Sequence, residues 1–303
     1  MNTNVLTINR TKNKRSLAAR VPIWMAVPSI TLFSVFIILP SIMSIYFSLT
    51  SWDGLNPVME FVGLRNYRDM IHDARFWNAF KNSISLTVSL TIVQNIVALA
   101  LALFVDKVRR GKTLFRSIFY IPNLLSGIVT GYVWVALLNY SFGVINLVLN
   151  KIGIPSVDWL GNPDLALWSV TFVMVWKGAG YYMIIYLAGL TSISKDVLEA
   201  ADIDGAKPIR KFFSVMVPML AGTFTINLTL SLINGLKVFD QIVAMTSGGP
   251  GFATETLTYQ IYTVAFSEGK QGYGTAVAMI LFLLTLVLSL VQTKFTRHFE
   301  VEA

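Results

Sequence analysis

Long apolar runs alternate with short polar segments along almost the whole chain. Six runs stand out, covering residues 21–49, 82–105, 117–138, 165–190, 219–240 and 274–293. Each reaches or exceeds the roughly 20 residues that an α-helix needs to cross the hydrocarbon core of a bilayer. Because a segment inside lipid must satisfy its backbone hydrogen bonds internally, these runs predict six membrane-spanning helices. The fold class that we expect is therefore all-α, in a polytopic membrane protein.

The first apolar run follows a polar, basic segment over residues 1–20. The run is longer than the apolar core of a signal peptide and lacks a small-residue cleavage site. We therefore expect a retained first helix, kinked at Pro28 and Pro40. The predicted organisation is a basic N-terminal tail over 1–20, a membrane domain over 21–293 and a C-terminal tail over 294–303.

The segment between the first two runs has a helical pattern of its own. Leu64, Tyr67 and Ile71 recur at helical spacing within residues 63–83. This pattern predicts a short amphipathic helix. The helix would lie on the membrane surface or pack against its own protein, and the sequence leaves both open.

The basic residues are distributed unevenly between the connecting segments. Sixteen of the 24 Lys and Arg residues fall in residues 1–20, 106–116, 194–218 and 294–303, whereas six fall in the alternate connections. Cytoplasmic loops carry the excess of positive charge in membrane proteins. We therefore expect both termini and the 194–218 segment to be cytoplasmic.

Composition supports a membrane protein and excludes several other classes. Hydrophobic residues make up 54% of the chain and charged residues 13%, against about a quarter charged in soluble domains. The net charge of +8 is dispersed between apolar runs, so we expect no nucleic-acid partner. The chain has no cysteine and two distant histidines, so no metal site is predicted.

The sequence also lacks a phosphate-binding loop of the kind that binds ATP. The nearest match to a phosphate-binding loop is Gly111-Lys112-Thr113, but Asp106 stands where the first glycine belongs. No serine–histidine arrangement is apparent. We therefore expect no enzyme activity and no cofactor.

The segment from residue 194 to residue 218, called here the charged segment, is polar and carries four acids and four bases. Ser194 is a suitable N-cap, Asp196 suits the first helical turn, and Gly205 can end the helix in a left-handed conformation. Pro208 then suits the start of a second helix. An ordered helix-turn-helix outside the membrane predicts a docking surface.

The fifth run has a polar stripe. Asn227, Ser231 and Asn234 lie at helical spacing, and Lys237 and Asp240, three residues apart, could pair on the same face. Such a stripe faces either a partner helix or a hydrated path for a polar solute. We favour the path. Lys177 in the fourth run either joins it or extends to the interface. The aromatic residues nearby could stack on sugar rings or belong to the aromatic belt at the membrane interface; they are Trp176, Tyr181, Tyr182 and Phe239.

The charged segment matches a family motif in its spacing. Glu199-Ala200-Ala201, three residues, Gly205, nine residues and then Val215-x-Val217-Pro218 resemble the EAA loop of ABC-importer permeases. Val215 and Val217 replace the Ile and Leu of that motif. The segments GLRNYRDMIHDARFWNAFKNS, FRSIFYIPNLLSGIVTGYVWVALLNYSFGVINLVL and LKVFDQIVAMTSGGPGFATETLTYQIYTVAF are similar to the carbohydrate-uptake branch of these permeases.

The resemblance implies a type I ABC-importer permease in the cytoplasmic membrane of a bacterium or an archaeon. Such permeases pair with a second, similar permease and with two cytoplasmic ATPase subunits, and an external sugar-binding protein delivers the solute. ATP binding moves the EAA helices and switches the permeases from inward- to outward-facing. The implied ATPase-docking residues are Glu199, Ala200, Ala201, Asp204, Gly205 and Ala206.

Two other classes remain as alternatives. A secondary transporter or channel would need its own coupling-ion site and, commonly, inverted repeats, and neither is apparent. A membrane scaffold or sensor would dock a cytoplasmic partner without transporting anything, which the polar stripe of the fifth run argues against.

Overall fold

The computed structural model describes residues 26–297, so the predicted N-terminal tail and most of the C-terminal tail lie outside the described residues. One isolated β-bridge joins Thr50 and Phe61, and the regular structure of this range is otherwise helical, which confirms the all-α prediction. The helices are α1 (Val27–Phe47), α2 (Arg65–Ile71), α3 (Ala74–Lys107), α4 (Lys112–Leu124), α5 (Gly127–Leu137), α6 (Val144–Lys151), α7 (Pro163–Ser192), α8 (Lys195–Ile203), α9 (Pro208–Met219), α10 (Ala221–Leu236), α11 (Asp240–Met245), α12 (Leu257–Tyr262) and α13 (Gln271–Arg297).

The chain divides into two units, and the first ends at Ser44 within α1. Pro28 lies in the first turn of α1 rather than inside it, so the predicted kink there is wrong. A proline at that position removes an amide that the helix does not use. Near Pro40 the helix takes a π-turn over Ser34–Ile38, in which the amide of Leu39 donates to the carbonyl of Ser34. The missing amide of Pro40 disturbs the regular ladder at this point.

The second unit, from Ile45 onward, is organised around α3. This helix has 34 residues and is roughly 51 Å long. Phe76 and Ala79 near its start pack in a cluster with residues of α10, α12 and α13. Leu86 and Leu90 pack with α5, α7 and α11, and the segment from Ala98 to Val105 packs with the second half of α7. One helix thus contributes to all three hydrophobic clusters.

Two of the six predicted spans are broken. Helices α1, α3, α7 and α13 are each long and apolar enough to cross a bilayer, whereas α4 and α5 meet at 95° and α9 and α10 meet at 71°. Six spans result if each bent pair counts as one. The predicted runs 117–138 and 219–240 are therefore not single straight helices.

Close packing accounts for the direction of α5. Gly127 and Gly131 face α11, where a Cβ at Gly127 would lie 2.6 Å from the Cβ of Asp240, and one at Gly131 would lie 2.5 Å from that of Ala244. Any larger residue would separate the two helices. The break between α4 and α5 follows Pro122, which removes a backbone donor near the end of α4.

The bend between α9 and α10 is at Leu220, which is fully buried in the cluster with α7. Pro218 and a π-turn over Phe212–Met216 precede it. Sharp bends in helices commonly arise at such features.

The short helix α2 packs against its own protein. Met70 is buried, and Tyr67 packs against the same cluster of α3 and α13 residues. The helix is packed against its own protein through Tyr67 and Met70, whereas Leu64 and Ile71 of the predicted apolar face are 71% and 62% exposed. Asp73 then caps α3, since its side chain accepts a hydrogen bond from the amide of Arg75 at 2.8 Å.

Candidate functional site

The charged segment forms the predicted helix-turn-helix. The hydroxyl of Ser194 accepts a hydrogen bond from the amide of Asp196 at 3.2 Å and so caps α8. Gly205 ends the turn with φ +73°, and the amide of Ala206 donates to the carbonyl of Ala201 at 3.0 Å. Pro208 opens α9. Because its capping groups are satisfied locally, this segment is ordered by its own chain.

An ion pair holds the two helices of the charged segment together. The ammonium of Lys211 on α9 lies 2.8 Å from both carboxylate oxygens of Asp202 on α8. Leu198 of α8 packs against the cluster formed by α3 and α7. The pair and this contact link α8 to α9 and both helices to the rest of the second unit.

The residues predicted to dock a partner differ in exposure. Glu199, Ala200, Asp204 and Gly205 are exposed, Ala206 is half-buried, and Ala201 is 8% exposed. Ala201 therefore faces its own chain in this conformation. Large apolar side chains extend the exposed surface at Ile203, Ile209 and Phe213, which are 86%, 75% and 64% exposed. The charged segment thus presents a mixed acidic and apolar surface.

The polar residues of α10 do not share one environment: some pack against other helices, and one is exposed. Asn227 and Ser231 are fully buried. The amide of Asn227 donates to the carbonyl of Tyr182, and the hydroxyl of Ser231 accepts a hydrogen bond from Asn95 on α3 at 3.0 Å. These two residues face partner helices of their own chain. Asn234 is exposed.

Asn234 opens onto a polar cavity of about 400 Å³. Its amide donates to the Tyr182 hydroxyl at 3.0 Å. The cavity lies between α3, α4, α7, the end of α10 and the start of α11. It is lined by Leu90, Gln94, Asn123, Met174, Lys177, Gly178, Tyr181, Tyr182, Asn234, Lys237, Val238, Phe239, Asp240 and Gln241.

The predicted pairing of Lys237 with Asp240 on one helical face is wrong. Helix α10 ends at Leu236, Lys237 follows as its C-cap, and Asp240 begins α11. The three-residue spacing therefore spans a break and not one helical step. The carboxylate of Asp240 instead lies against Gly127, the first residue of α5.

Several residues of the cavity were not singled out from the sequence. Gln94, Asn123 and Gln241 add amide groups to the lining, and Lys177 joins the same cavity. The signal for Gln94 was present, since an amide in an otherwise apolar span commonly has a partner or faces a hydrated space. Asn123 and Gln241 lie beside helix breaks that the apolar pattern did not reveal.

Comparison with known proteins places these features in a family. The family described as binding-protein-dependent transport system inner membrane component matches residues 94–301. The probable starch degradation products transport system permease protein AmyD of Thermoanaerobacterium thermosulfurigenes is 35% identical over 277 residues, which cover 91% of this chain and 93% of that protein. The trehalose/maltose transport system permease protein MalF of Thermococcus litoralis is 32% identical over 289 residues, which cover 95% of this chain and 98% of that protein.

Two further similarities extend the comparison. The sn-glycerol-3-phosphate transport system permease protein UgpA of Shigella flexneri is 32% identical over 278 residues, which cover 91% of this chain and 93% of that protein. A chain of a bacterial ABC transporter involved in the import of the acidic polysaccharide alginate superposes with a TM-score of 0.81 at 24% identity, covering 91% of this chain and 94% of that chain. This likeness confirms the ABC-importer permease fold. The chain therefore belongs to the family of inner membrane components of binding-protein-dependent transport systems.

Proposed function

We propose that this chain is the membrane-spanning subunit through which an ATP-dependent importer moves a sugar, an oligosaccharide or a sugar derivative. The solute would pass through the polar cavity. The charged segment would dock an ATPase subunit, and ATP hydrolysis would take place on that partner. The remaining partners would be a second, similar permease and an external sugar-binding protein, with both termini of this chain in the cytoplasm.

The observation that carries this proposal is the covalent path from the charged segment to the polar cavity. Helix α9 belongs to the charged segment and continues through the bend at Leu220 into α10. The other end of α10 brings Asn234 and Lys237 to the cavity. A force applied to the charged segment would therefore act on the helix that lines the proposed solute path.

The ion pair within the charged segment supports such coupling. Because Lys211 holds Asp202, a partner that displaces α8 would displace α9 with it. The buried Leu220 anchors the bend against α7, so the bend can act as the pivot. We propose that closure of the ATPase subunits moves α8 and α9 together and changes access to the cavity.

The solute class rests on the cavity lining and on the relatives. Amide groups of Gln94, Asn123, Asn234 and Gln241 suit the hydroxyls of a sugar, and the aromatic side chains beside them suit its apolar faces. The names of the relatives refer to starch degradation products, trehalose and maltose, and sn-glycerol-3-phosphate. A hydroxyl-rich solute is consistent with both.

Uptake in reconstituted vesicles tests the proposal. The chain would be tagged, purified with its bound subunits and placed in vesicles that enclose ATP, with a panel of labelled mono- and oligosaccharides and the binding protein outside. We expect uptake that requires both ATP and the binding protein. Uptake without any ATPase subunit would instead favour the secondary-transporter alternative.

Cysteine labelling tests the proposed orientation. The chain has no cysteine of its own, so Arg110→Cys and Lys151→Cys would each supply a single reactive thiol. Both positions are exposed. An impermeant maleimide added to intact cells should label Lys151→Cys and spare Arg110→Cys until the membrane is opened. The reverse pattern would invert the orientation.

A further inference from the structure

The polar cavity holds three charged side chains whose charges do not balance. Lys177 comes from α7, Lys237 follows α10, and Asp240 begins α11. Among residues 26–297, no other acid or base belongs to the lining. Two positive charges from this part of the chain therefore line the cavity with one negative charge.

The single carboxylate is already engaged by its surroundings. Asp240 lies against Gly127, at the N-terminal end of α5, where the helix dipole favours a negative charge. It also occupies the first turn of α11. Lys177 lies within its electrostatic reach. The negative charge of Asp240 is thus held at the α5 side of the cavity and interacts with Lys177.

Lys237 has no such counter-charge. The break after Leu236 removes it from the helical face on which it could pair with Asp240. Within residues 26–297, no carboxylate oxygen lies within 4 Å of its ammonium, and its side chain is exposed. An ammonium that opens onto the cavity without a carboxylate partner is free to attract an anionic group of a solute.

We infer that the polar cavity takes a hydroxyl-rich solute carrying one anionic group, with Lys237 binding the anion and the amides and tyrosines binding the hydroxyls. This inference rests on the proposed function and narrows it from sugars in general to sugars or polyols bearing a carboxylate, phosphate or sulfonate. The shared chemistry is the negative group, and the cavity alone does not discriminate between these three.

Matched pairs of probes test the charge requirement. The pairs are sn-glycerol 3-phosphate with glycerol, glucuronate with glucose, and trigalacturonate with its neutral trimethyl ester. ATP-driven uptake of each would be measured in vesicles that hold the complete transporter with its binding protein. Since the binding protein is the same for every variant, a change in preference between variants originates in the membrane subunit.

The informative variants are Lys237→Met, which removes the charge, and Lys237→Arg, which keeps it. The loss of a charge-assisted hydrogen bond should lower uptake of the anionic probe by about tenfold or more in Lys237→Met. Lys237→Arg should retain most of it. Lys151→Met is the control, because Lys151 is an exposed residue of α6 outside the cavity.

The outcomes separate this inference from the proposal on which it rests. Preferred uptake of neutral probes, or uptake of an anionic probe that Lys237→Met leaves unchanged, would overturn the charge requirement while the sugar importer stands. Uptake that does not need ATP would count against the proposed function and against this inference with it. ATP-driven uptake of neutral sugars from the wider panel, without uptake of any anionic probe, would overturn this inference alone.

Discussion

Arg75 forms a bidentate ion pair with Glu255 across 180 residues of sequence. The Nη2 and Nε atoms of Arg75 lie 2.7 and 2.9 Å from the two carboxylate oxygens, and the Glu255 side chain has no exposed surface. Arg75 also donates to Thr263 at 3.0 Å and to Glu268, and its guanidinium lies 4.7 Å from the centre of the Phe252 ring. One side chain at the start of α3 thus holds the loop before α12 and the turn after it.

Removal of Arg75 should destabilise the protein strongly. In Arg75→Met the carboxylate of Glu255 would stay buried without a counter-charge, which costs roughly 3 kcal/mol. We expect a clearly lower midpoint of thermal unfolding for the purified protein in detergent. The double variant Arg75→Met/Glu255→Met should recover much of the loss, since it leaves no unpaired buried charge.

Arg65→Met is the matched control for this experiment. Arg65 lies 3.8 Å from Asp69, and both side chains are mostly exposed, at 73% and 59%. Exposed ion pairs of this kind contribute little to stability. Equal losses in Arg65→Met and Arg75→Met would show that the burial of Glu255 does not determine the effect.

Glu268 should make the stability of this region depend on pH. Burial alone would raise the pKa of Glu268, but hydrogen bonds from Arg75 and Lys270 outweigh it and hold the pKa below the usual value of 4.5. A carboxyl with a lowered pKa in the folded state stabilises the fold fully above 4.5, and this contribution is lost as the pH falls through the folded pKa.

The expected result is a difference in unfolding temperature that disappears in acid. Wild type should unfold at a higher temperature than Glu268→Gln near pH 7, and the difference should shrink as the pH falls below 4.5. Glu60→Gln, at an exposed position between α1 and α2, serves as the control. A difference between wild type and Glu268→Gln that stayed constant with pH would contradict the role of its charge.

Two residues of the same polar stripe should behave differently when replaced. Ser231→Ala removes the acceptor of the Asn95 amide and should lower stability by about 1 kcal/mol, with uptake per folded molecule retained. Asn234→Leu places an apolar group in the polar cavity and should lower uptake about tenfold, because it deletes a hydrogen-bonding group from the solute path.

Thermal unfolding and ATP-driven uptake, measured on the same preparations, separate these effects. Thr229→Val is a useful third variant, since Thr229 bonds Gln292 on α13 and does not line the cavity. If Asn234→Leu transported as well as Thr229→Val, the cavity would not be the path.

The apolar pattern predicted helices well where a span is straight. The runs 165–190 and 274–293 became α7 and α13, each extended by a few residues. The same pattern could not reveal the break after Leu124, because apolar residues continue on both sides of it. What turns α5 there is its close packing against α11 through Gly127, a contact between segments more than 100 residues apart.

The candidate site could also be predicted only in part. Capping and turn residues are local signals, so Ser194, Gly205 and Pro208 were sufficient to predict the helix-turn-helix of the charged segment. The polar cavity is assembled from five helices, and its lining depends on tertiary packing. Spacing alone therefore suggested a Lys237–Asp240 pair that a helix break prevents.

The charged segment offers the sharpest test of docking, at Glu199 and Gly205. Glu199→Lys reverses an exposed charge on α8 and should weaken ATPase binding about tenfold or more if a basic group of the partner faces it. Glu60→Lys makes the same change elsewhere and should have no effect. Co-purification of the ATPase with the tagged chain measures the binding.

Two substitutions at Gly205 distinguish between two reasons for a glycine in the turn. Its φ is +73°, and a Cβ there would meet no atom of this chain within 4 Å. Asparagine tolerates this conformation, whereas valine does not. If only the backbone conformation matters, Gly205→Asn should keep the ATPase bound and Gly205→Val should release it. If the partner approaches this surface closely, both should release it. Full co-purification and uptake with both variants would show that the turn at Gly205 is not part of the dock, and the same result with Glu199→Lys would exclude the charged segment as a whole.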